Sequence, residues 1–319
     1  MAQPDRPPLG AGWAEGLLRE VYPAAEVVEA VPRTGGRSGA VYEVRCADPA
    51  HTVIFKVYAP RWAWKQAKEA RVYRMLAGLG SLPVPSVLHR TPGGGPGGGA
   101  VTILSLLEGR PLSEASKDLD QRLIPSFYRE MGAVLASVHR VGQEAYGYLA
   151  DGIVDPVAGN GDYMRRRFAA KLAEFRELGG DERLHDAVAR RVARDGALFD
   201  NCGSAVLCHN DLHEGNVLVA PRPGGWAVTG VIDVENAIAA DPLIDLAKTT
   251  YYALGRGAPE HRALLEGYGP LPADTPDRLA LYQLYHALEL WDWFRSLGTT
   301  EPLPGITEDI ARLTDHPAR

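Results

Sequence analysis

Val206-Leu-Cys-His209-Asn-Asp211-Leu-His213-Glu-Gly-Asn216-Val-Leu-Val219 is the stretch around which the rest of the chain is read. Two short apolar runs, Ala205–Cys208 and Val217–Val219, bracket a polar insert. Runs of this length rich in Val and Leu read as buried strands, so the insert is a loop pinned at both ends. Asp211 followed five positions later by Asn216 suits phosphoryl transfer. A carboxylate there accepts the proton of an incoming hydroxyl, and an amide oxygen helps hold a divalent ion on nucleotide phosphates. His209 reads as a packing and hydrogen-bonding residue of the loop. An ordinary polar hairpin gives the same local pattern, so the flanking segments have to decide.

Downstream, Trp226-Ala-Val-Thr-Gly-Val-Ile232-Asp233 is another apolar run ending in a carboxylate. With Gly224-Gly225 as a turn, Val217–Val219 and Ala227–Ile232 form an antiparallel hairpin that returns Asp233 toward Asn216. An Asp and an Asn brought together make an oxygen-ligand site of the kind magnesium prefers.

Toward the N-terminus, a helix is expected near Trp13–Val21 and a strand over Glu26–Val31. Thr34-Gly35-Gly36-Arg37-Ser38-Gly39 then turns into a second strand. Gly36 and Gly39 would let backbone N–H groups approach phosphates, with Ser38 adding a hydroxyl, although a plain hairpin turn reads the same way. The run Thr52-Val-Ile-Phe-Lys56-Val-Tyr places one lysine in an apolar strand, where it needs an anionic partner. Phosphate oxygens are one such partner. A carboxylate on the following helix, Arg61–Leu79, is another, and Glu69 is the candidate. Ala100–Leu107 is the last strand of this part. The segment Ser105–Glu108, including Leu106 and Glu108, is the expected hinge, its backbone meeting the nucleotide base. The boundary is therefore drawn at 107/108, with a nucleotide-binding lobe over 1–107 and a catalytic, substrate-binding lobe over 108–319.

Beyond the hinge the pattern turns helical: Asp120–Val141, Asp162–Leu178, Asp181–Phe199, a helix opened by Asp241-Pro-Leu-Ile-Asp245, then Glu260–Tyr268, Asp277–Leu297 and Thr307–Leu313. Asp245, in a first helical turn, can cap backbone donors or brace the catalytic loop. His139 reads as packed or surface. Glu289 and Asp292 share a helix face beside Tyr282, Tyr285, Trp291 and Trp293, an acidic and aromatic strip that can hold a cationic or sugar acceptor. Glu235, next to Asp233, is a third candidate contact to that acceptor. A core stripe with a solvated edge explains the strip equally well.

The chain carries 40 acidic against 34 basic residues, a net charge of −6, which excludes a general nucleic-acid binder and is compatible with a cationic substrate. Cys46, Cys202 and Cys208 are too few and too scattered for a disulfide scaffold or zinc site. Met1-Ala-Gln-Pro-Asp has no signal-peptide pattern, and no apolar run reaches membrane-spanning length. A cytoplasmic protein without membrane partners is expected, as monomer or dimer.

Lys56, Glu69, His209-x-Asp211-x4-Asn216, Ile232-Asp233 and Asp241-Pro-x-x-Asp245-Leu-Ala together resemble the aminoglycoside phosphotransferase family of small-molecule kinases, from about Glu26 to about Tyr252. The resemblance implies an α+β, protein-kinase-like two-lobe fold with a small antiparallel N-terminal sheet and a mainly helical C-terminal lobe. It also implies roles: Asp211 as catalytic base, Asn216 and Asp233 as magnesium ligands, and Lys56, oriented by Glu69, as the contact to the phosphates of ATP or GTP. Two departures stand out. Asn210 replaces the family's usual glycine, and Val234-Glu235 follows Asp233 where protein kinases have Phe-Gly. The expected activity is phosphorylation of a hydroxyl on an aminoglycoside-like or other cationic antibiotic, giving resistance. A kinase of a housekeeping amino alcohol, sugar or homoserine-like metabolite, and a non-catalytic kinase-like binding protein, are the alternatives.

Overall fold

The computed structural model describes residues 9–33, 39–47, 51–253 and 257–315. In chain order its strands are β1 (Val27–Arg33), β2 (Gly39–Cys46), β3 (His51–Tyr58), β4 (Val87–Thr91), β5 (Ala100–Ser105), β6 (Arg110–Pro111), β7 (Tyr146–Leu149), β8 (Ile153–Val157), β9 (Val206–Cys208), β10 (Val217–Arg222), β11 (Gly225–Val231) and β12 (Ile238–Ala240). The helices are α1 (Ala11–Leu18), α2 (Trp64–Ala77), the single turn α3 (Leu112–Ala115), α4 (Ile124–Val138), α5 (Asn160–Glu177), α6 (Glu182–Asp195), α7 (Pro242–Tyr252), α8 (Ala258–Tyr268), α9 (Thr275–Ser296) and α10 (Leu303–Thr314).

The described residues divide into two compact units. The first runs up to Leu112 and takes in Val217–Glu235; the second comprises Ser113–Asn216 and the described residues from Asn236 onward. The break thus lies beyond the expected 107/108 boundary, and the β10–β11 hairpin joins the N-terminal residues. Pairing explains both differences, because β6 hydrogen-bonds to β10, Leu218 lying opposite Pro111 and Val219 opposite Arg110.

In the first unit an antiparallel sheet runs in the order β1-β2-β3-β5-β4. One face packs Tyr42, Val44, Phe55, Val101 and Ile103 against Ala14, Leu17 and Leu18 of α1, an apolar core that fixes the register. β3 is central, so Lys56 sits between Val41 of β2 and Thr102 of β5. Helix α2 is tied to the sheet by the buried Gln66 amide, which donates to the carbonyls of Thr91 at 3.0 Å and Val101 at 2.5 Å. That anchor sets Glu69 three residues further along the same helix face. The expected hairpin is present: Arg222 pairs with Gly225 and Val217 with Val231. Its turn has Pro223 followed by Gly224 at φ 96°, the order a type II turn requires.

The second unit is helical around an antiparallel sheet in the order β8-β7-β12-β9. Helices α4 and α8 approach with glycine at the contact on each side. A Cβ on Gly132 would meet the Leu264 carbonyl at 2.0 Å, and one on Gly267 the Arg129 carbonyl at 1.9 Å. Helix α9 is buried over most of its length, from Leu281 to Trp291. Among the described residues no helix is long and apolar enough to cross a membrane.

Candidate active site

In the first unit the site is built on Lys56. Its ammonium lies 2.9 Å from Glu69, 2.8 Å from Asp233 and 3.0 Å from Glu235. The lysine side chain is 8% exposed and that of Asp233 31%, so of this pair the aspartate is the member open to a ligand. Burial works against the lysine's charge, but Asp233 and Glu69 outweigh it, and Lys56 stays protonated well above its ordinary range. Burial in turn pushes the Glu69 carboxyl up, against the pull of Lys56. Glu69 also accepts the Tyr58 hydroxyl, and the Asp233 N–H donates to the Tyr73 hydroxyl at 2.9 Å. Asp233 has φ 63°, a left-handed conformation that aspartate tolerates better than most residues.

Glu235 was expected against the acceptor. It is instead enclosed, gripped by Lys56 and by Lys65 at 2.8 Å, because the turn after Asp233 folds it in beside the strand lysine. Gly39 opens β2, where a Cβ would meet the Val57 carbonyl at 1.8 Å; its lack of a side chain serves close strand pairing. Gly36 and Ser38 lie outside the described residues. In the expected hinge, Leu106 is exposed, and Glu108 pairs its carboxylate with Arg222 at 2.7 Å while its carbonyl accepts the Thr229 hydroxyl at 2.6 Å.

In the second unit the loop after β9 carries Asp211 and Asn216. Asp211 Oδ2 accepts the Asn236 amide at 2.9 Å, and Oδ1 accepts the Tyr252 hydroxyl at 3.2 Å. The buried Asn216 donates its amide nitrogen to the Asp211 carbonyl at 2.9 Å. That bond commits the nitrogen and turns the amide oxygen the other way, the orientation a metal ligand needs. The Asn216 amide oxygen is a hard donor of the kind magnesium takes, and the Asp233 carboxylate, described in the first unit, is of the same chemical kind. Asn210 has φ 59°, so it adopts the conformation a glycine would have, and its side chain donates to the Asn236 carbonyl at 3.1 Å. Asparagine tolerates this left-handed conformation better than most residues, as a glycine at this position would.

Helix α7 holds this loop by one face, at positions 245, 249 and 252. Asp245 accepts the N–H groups of His209 at 2.6 Å and Asn210 at 2.5 Å. The Thr249 hydroxyl donates to the Leu212 carbonyl at 2.8 Å, and Tyr252 reaches Asp211. The i, i+4, i+7 spacing aligns all three on one side of the helix. Bracing by Asp245 was expected; the contacts of Thr249 and Tyr252 were not, although the spacing was there to be read. His139 is buried, bonded to Asp245 and to the Tyr268 hydroxyl at 3.0 Å each, a packing role. His139, Cys208 and Asp245 lie close enough to hold an ion, but these bonds already engage the imidazole and the carboxylate, so the cluster is structural.

Asp211 opens on a cavity of about 670 Å³ lined also by Ser113, Tyr128, Met131, His213, Glu214, Gly215, Thr249, Tyr252, Leu290, Trp293 and Phe294. Glu289 and Asp292 do not line it. Glu289 turns to Lys248 at 3.1 Å and, against the cost of burial, is held well below the usual carboxylate range by that lysine. Asp292 is fully buried 3.6 Å from Lys171, and burial raises its carboxyl from 3.8 to about 7. Helix α9 thus presents Trp293 and Phe294 to the cavity and turns Glu289 and Asp292 away from it. Tyr128, Glu214 and Tyr252 are among the lining residues that sequence reasoning missed. They come from three separate segments with no common spacing.

Chains with a strand lysine answered by a helix glutamate, followed by a loop of this Asp-Asn form, are protein-kinase-like phosphotransferases, and the α+β architecture is theirs. This chain belongs to the phosphotransferase enzyme family, whose model matches residues 29–282. It is 33% identical over 117 residues to an N-acetylmuramate/N-acetylglucosamine kinase of Caulobacter vibrioides, a match spanning 34% of this chain and only 32% of that protein. Its fold is similar to that of a thermostable mutant of aminoglycoside phosphotransferase APH(4)-Ia in ternary complex with AMP-PNP and hygromycin B, with TM-score 0.72, 19% identity and coverage of 94% of this chain and 97% of that one. It is also similar to APH(2")-IIia in complex with GDP and kanamycin, with TM-score 0.69, 14% identity and coverage of 95% and 99%. At such identities the likeness is one of fold.

Proposed function

We propose that the protein transfers the γ-phosphoryl group of ATP or GTP to a hydroxyl of a small cationic molecule, an aminoglycoside-like or other cationic antibiotic, and so acts in resistance. In this reading the first unit binds nucleotide and the second binds acceptor, in the cytoplasm. Asp211 is the base, Lys56 holds the phosphates with Glu69 orienting it, and Asn216 and Asp233 are the magnesium ligands. Magnesium, when bound, would offset phosphate charge as it shifts between oxygens. The observation that carries the reading is the setting of Asp211. One oxygen is fixed by Asn236, and the other is shared with Tyr252 at the wall of the cavity. A carboxylate held in this way can take a proton from a hydroxyl seated beside it.

The test is turnover with MgATP and MgGTP over a panel of hydroxylated acceptors, comparing the native chain with Asp211→Ala. Turnover should fall roughly 100-fold or more in the variant, with nucleotide affinity kept. Near-native turnover would remove Asp211 as the base.

A second reading, phosphorylation of a sugar-type metabolite, is favoured by the 33% identity to the N-acetylmuramate/N-acetylglucosamine kinase and by the aromatic lining of the cavity. Locating the phosphate on the product of the best acceptor separates the two, as does growth protection of a sensitive host.

A further inference from the structure

We propose that His213 is an acceptor-binding residue, its Nε2–H donating a hydrogen bond to a neutral oxygen of the molecule seated beside Asp211. This rests on the phosphotransferase reading and adds one contact to it. His213 stands two places after Asp211 in the same loop, and its imidazole lines the same cavity. Its other nitrogen is committed, because the Gly215 N–H donates to Nδ1 at 3.0 Å. A backbone N–H can only donate, so Nδ1 carries no proton, and in the neutral ring the proton lies on Nε2. Among the described residues no group takes that proton.

Two further features fix the ring. A Cβ on Gly215 would lie 2.7 Å from the imidazole Cε1 and 3.0 Å from Nδ1, so the glycine makes room for it. The ring of Tyr252 meets it edge to face, with centroids 5.5 Å apart and an interplanar angle of 79°. The same tyrosine donates its hydroxyl to Asp211 Oδ1 at 3.2 Å, so one phenol steadies both the carboxylate and the imidazole. A donor already held by its neighbours binds without the ordering cost that a free side chain incurs. Carboxylate and imidazole then complement one another: Asp211 takes a hydrogen bond from the reacting hydroxyl, and His213 gives one to a lone pair elsewhere on the acceptor. A hydroxyl or ether oxygen offers that lone pair, whereas an ammonium group would set N–H against N–H.

The test uses the full chain and two variants that divide the imidazole. In His213→Asn the amide oxygen replaces Nδ1 as acceptor for Gly215, and the Nε2 donor is lost. In His213→Gln the amide reaches the place of Nε2, so a donor remains and the Gly215 N–H loses its acceptor. Turnover is measured with saturating MgATP over the panel of hydroxylated acceptors, kanamycin and N-acetylglucosamine included. KM for the best acceptor should rise roughly 2- to 10-fold in His213→Asn, with kcat little changed. His213→Gln should keep that KM near the native value and melt at a lower temperature. The reverse order, with His213→Gln raising KM and His213→Asn native-like, would make the imidazole a brace of the turn alone. That result overturns the proposal and leaves the phosphotransferase reading standing. Nitrogen NMR of the chain carrying isotope-labelled histidine, at about pH 8.5 to keep the ring neutral, should show a bare Nδ1 and a protonated Nε2 for the signal that His213→Asn removes. The opposite tautomer would also overturn the proposal. No transfer by the native chain to any acceptor would overturn the phosphotransferase reading, and this contact with it.

Discussion

The Asp245 carboxylate accepts the backbone N–H of Asn210 at 2.5 Å, from a helix thirty-five residues further along the chain. The same carboxylate takes the His209 N–H and the His139 imidazole, so one buried side chain fixes the entrance of the Asp211 loop. Asp245→Ala leaves those donors enclosed without their acceptor, at about 1–3 kcal/mol each. Melting temperature and turnover should both fall. Burial opposes the Asp245 charge, yet His139 and the loop donors win and hold its carboxyl below 3.8. Its stabilising effect is then present above the unfolded value and lost as pH falls through the depressed folded one. Acid denaturation of Asp245→Ala should accordingly show a shallower dependence below about pH 4; curves of equal slope would refute the linkage.

Tyr252 and Thr249 extend the same helix face, and their removal should separate placement from stability. Tyr252→Phe deletes one hydrogen bond to Asp211 and keeps the ring in the cavity wall. A long hydrogen bond donated to a carboxylate at an exposed position is worth about 0.5–1.5 kcal/mol, or roughly a 2- to 10-fold fall in kcat. Thr249→Val, which frees the buried Leu212 carbonyl, should lower melting temperature more than Tyr252→Phe does. Steady-state kinetics alongside thermal melts checks both, and a Tyr252→Phe enzyme with unaltered kcat would detach the phenol from the proposed base.

Lys56 answers three carboxylates, so replacing it does more than remove the proposed phosphate contact. Lys56→Met leaves Glu69, Asp233 and Glu235 facing one another, Glu69 and Glu235 being enclosed. Breaking a buried pair in this way costs about 3–5 kcal/mol. The variant should melt well below the native chain and show no measurable MgATP binding by calorimetry. Glu69→Gln in the same background should recover part of the stability without restoring nucleotide affinity. If Lys56→Met melts like the native chain, the charge cluster does not stabilise the unit.

Gly132 governs the separation of α4 and α8, and α4 also carries Tyr128 and Met131 to the cavity. Gly132→Ala sets a methyl group 2.0 Å from the Leu264 carbonyl, so one of the helices must shift. Overpacking of this kind costs about 1–3 kcal/mol. Stability and acceptor affinity should fall together, while nucleotide affinity, which the proposed reading assigns to the other unit, stays unchanged. A titration showing intact acceptor binding would mean that α4 yields without moving its cavity residues.

Sequence alone discloses residues whose chemistry conflicts with their local setting. Lys56 within an apolar strand and the polar Asp211–Asn216 insert between apolar runs are of that kind, as is the acid ending β11's run. The helices were legible from periodicity, to within a few residues at their ends. The sheet of β7, β8, β9 and β12 was legible only at β9. Its other strands are three to five residues long, and Gly147 and Pro156 interrupt any alternation. Direction was the harder quantity. Glu289 and Asp292 share a face of α9, but whether that face meets the cavity or the interior depends on α5 and α7, which supply Lys171 and Lys248. The same ignorance hid Tyr128 and Glu214, which become neighbours only through long-range packing.

Asp292 carries a pH dependence that can be tested directly. Its carboxyl is raised by burial from 3.8 to about 7, with Lys171 at 3.6 Å offsetting only part of the cost. In the folded chain it is protonated below about 7, whereas the unfolded chain releases that proton near its ordinary value. Folding is therefore penalised increasingly as pH rises from about 4 to about 7, and the penalty is constant above that. Asp292→Asn removes the ionisation while keeping the shape. It should stabilise the protein at pH 8 by on the order of 2 kcal/mol and have little effect at pH 4.5. Lys171→Met should act oppositely, destabilising at pH 8 and much less at pH 4.5. Urea denaturation at the two pH values decides the matter, and a gain from Asp292→Asn that is equal at both would show that the carboxyl does not titrate in this range.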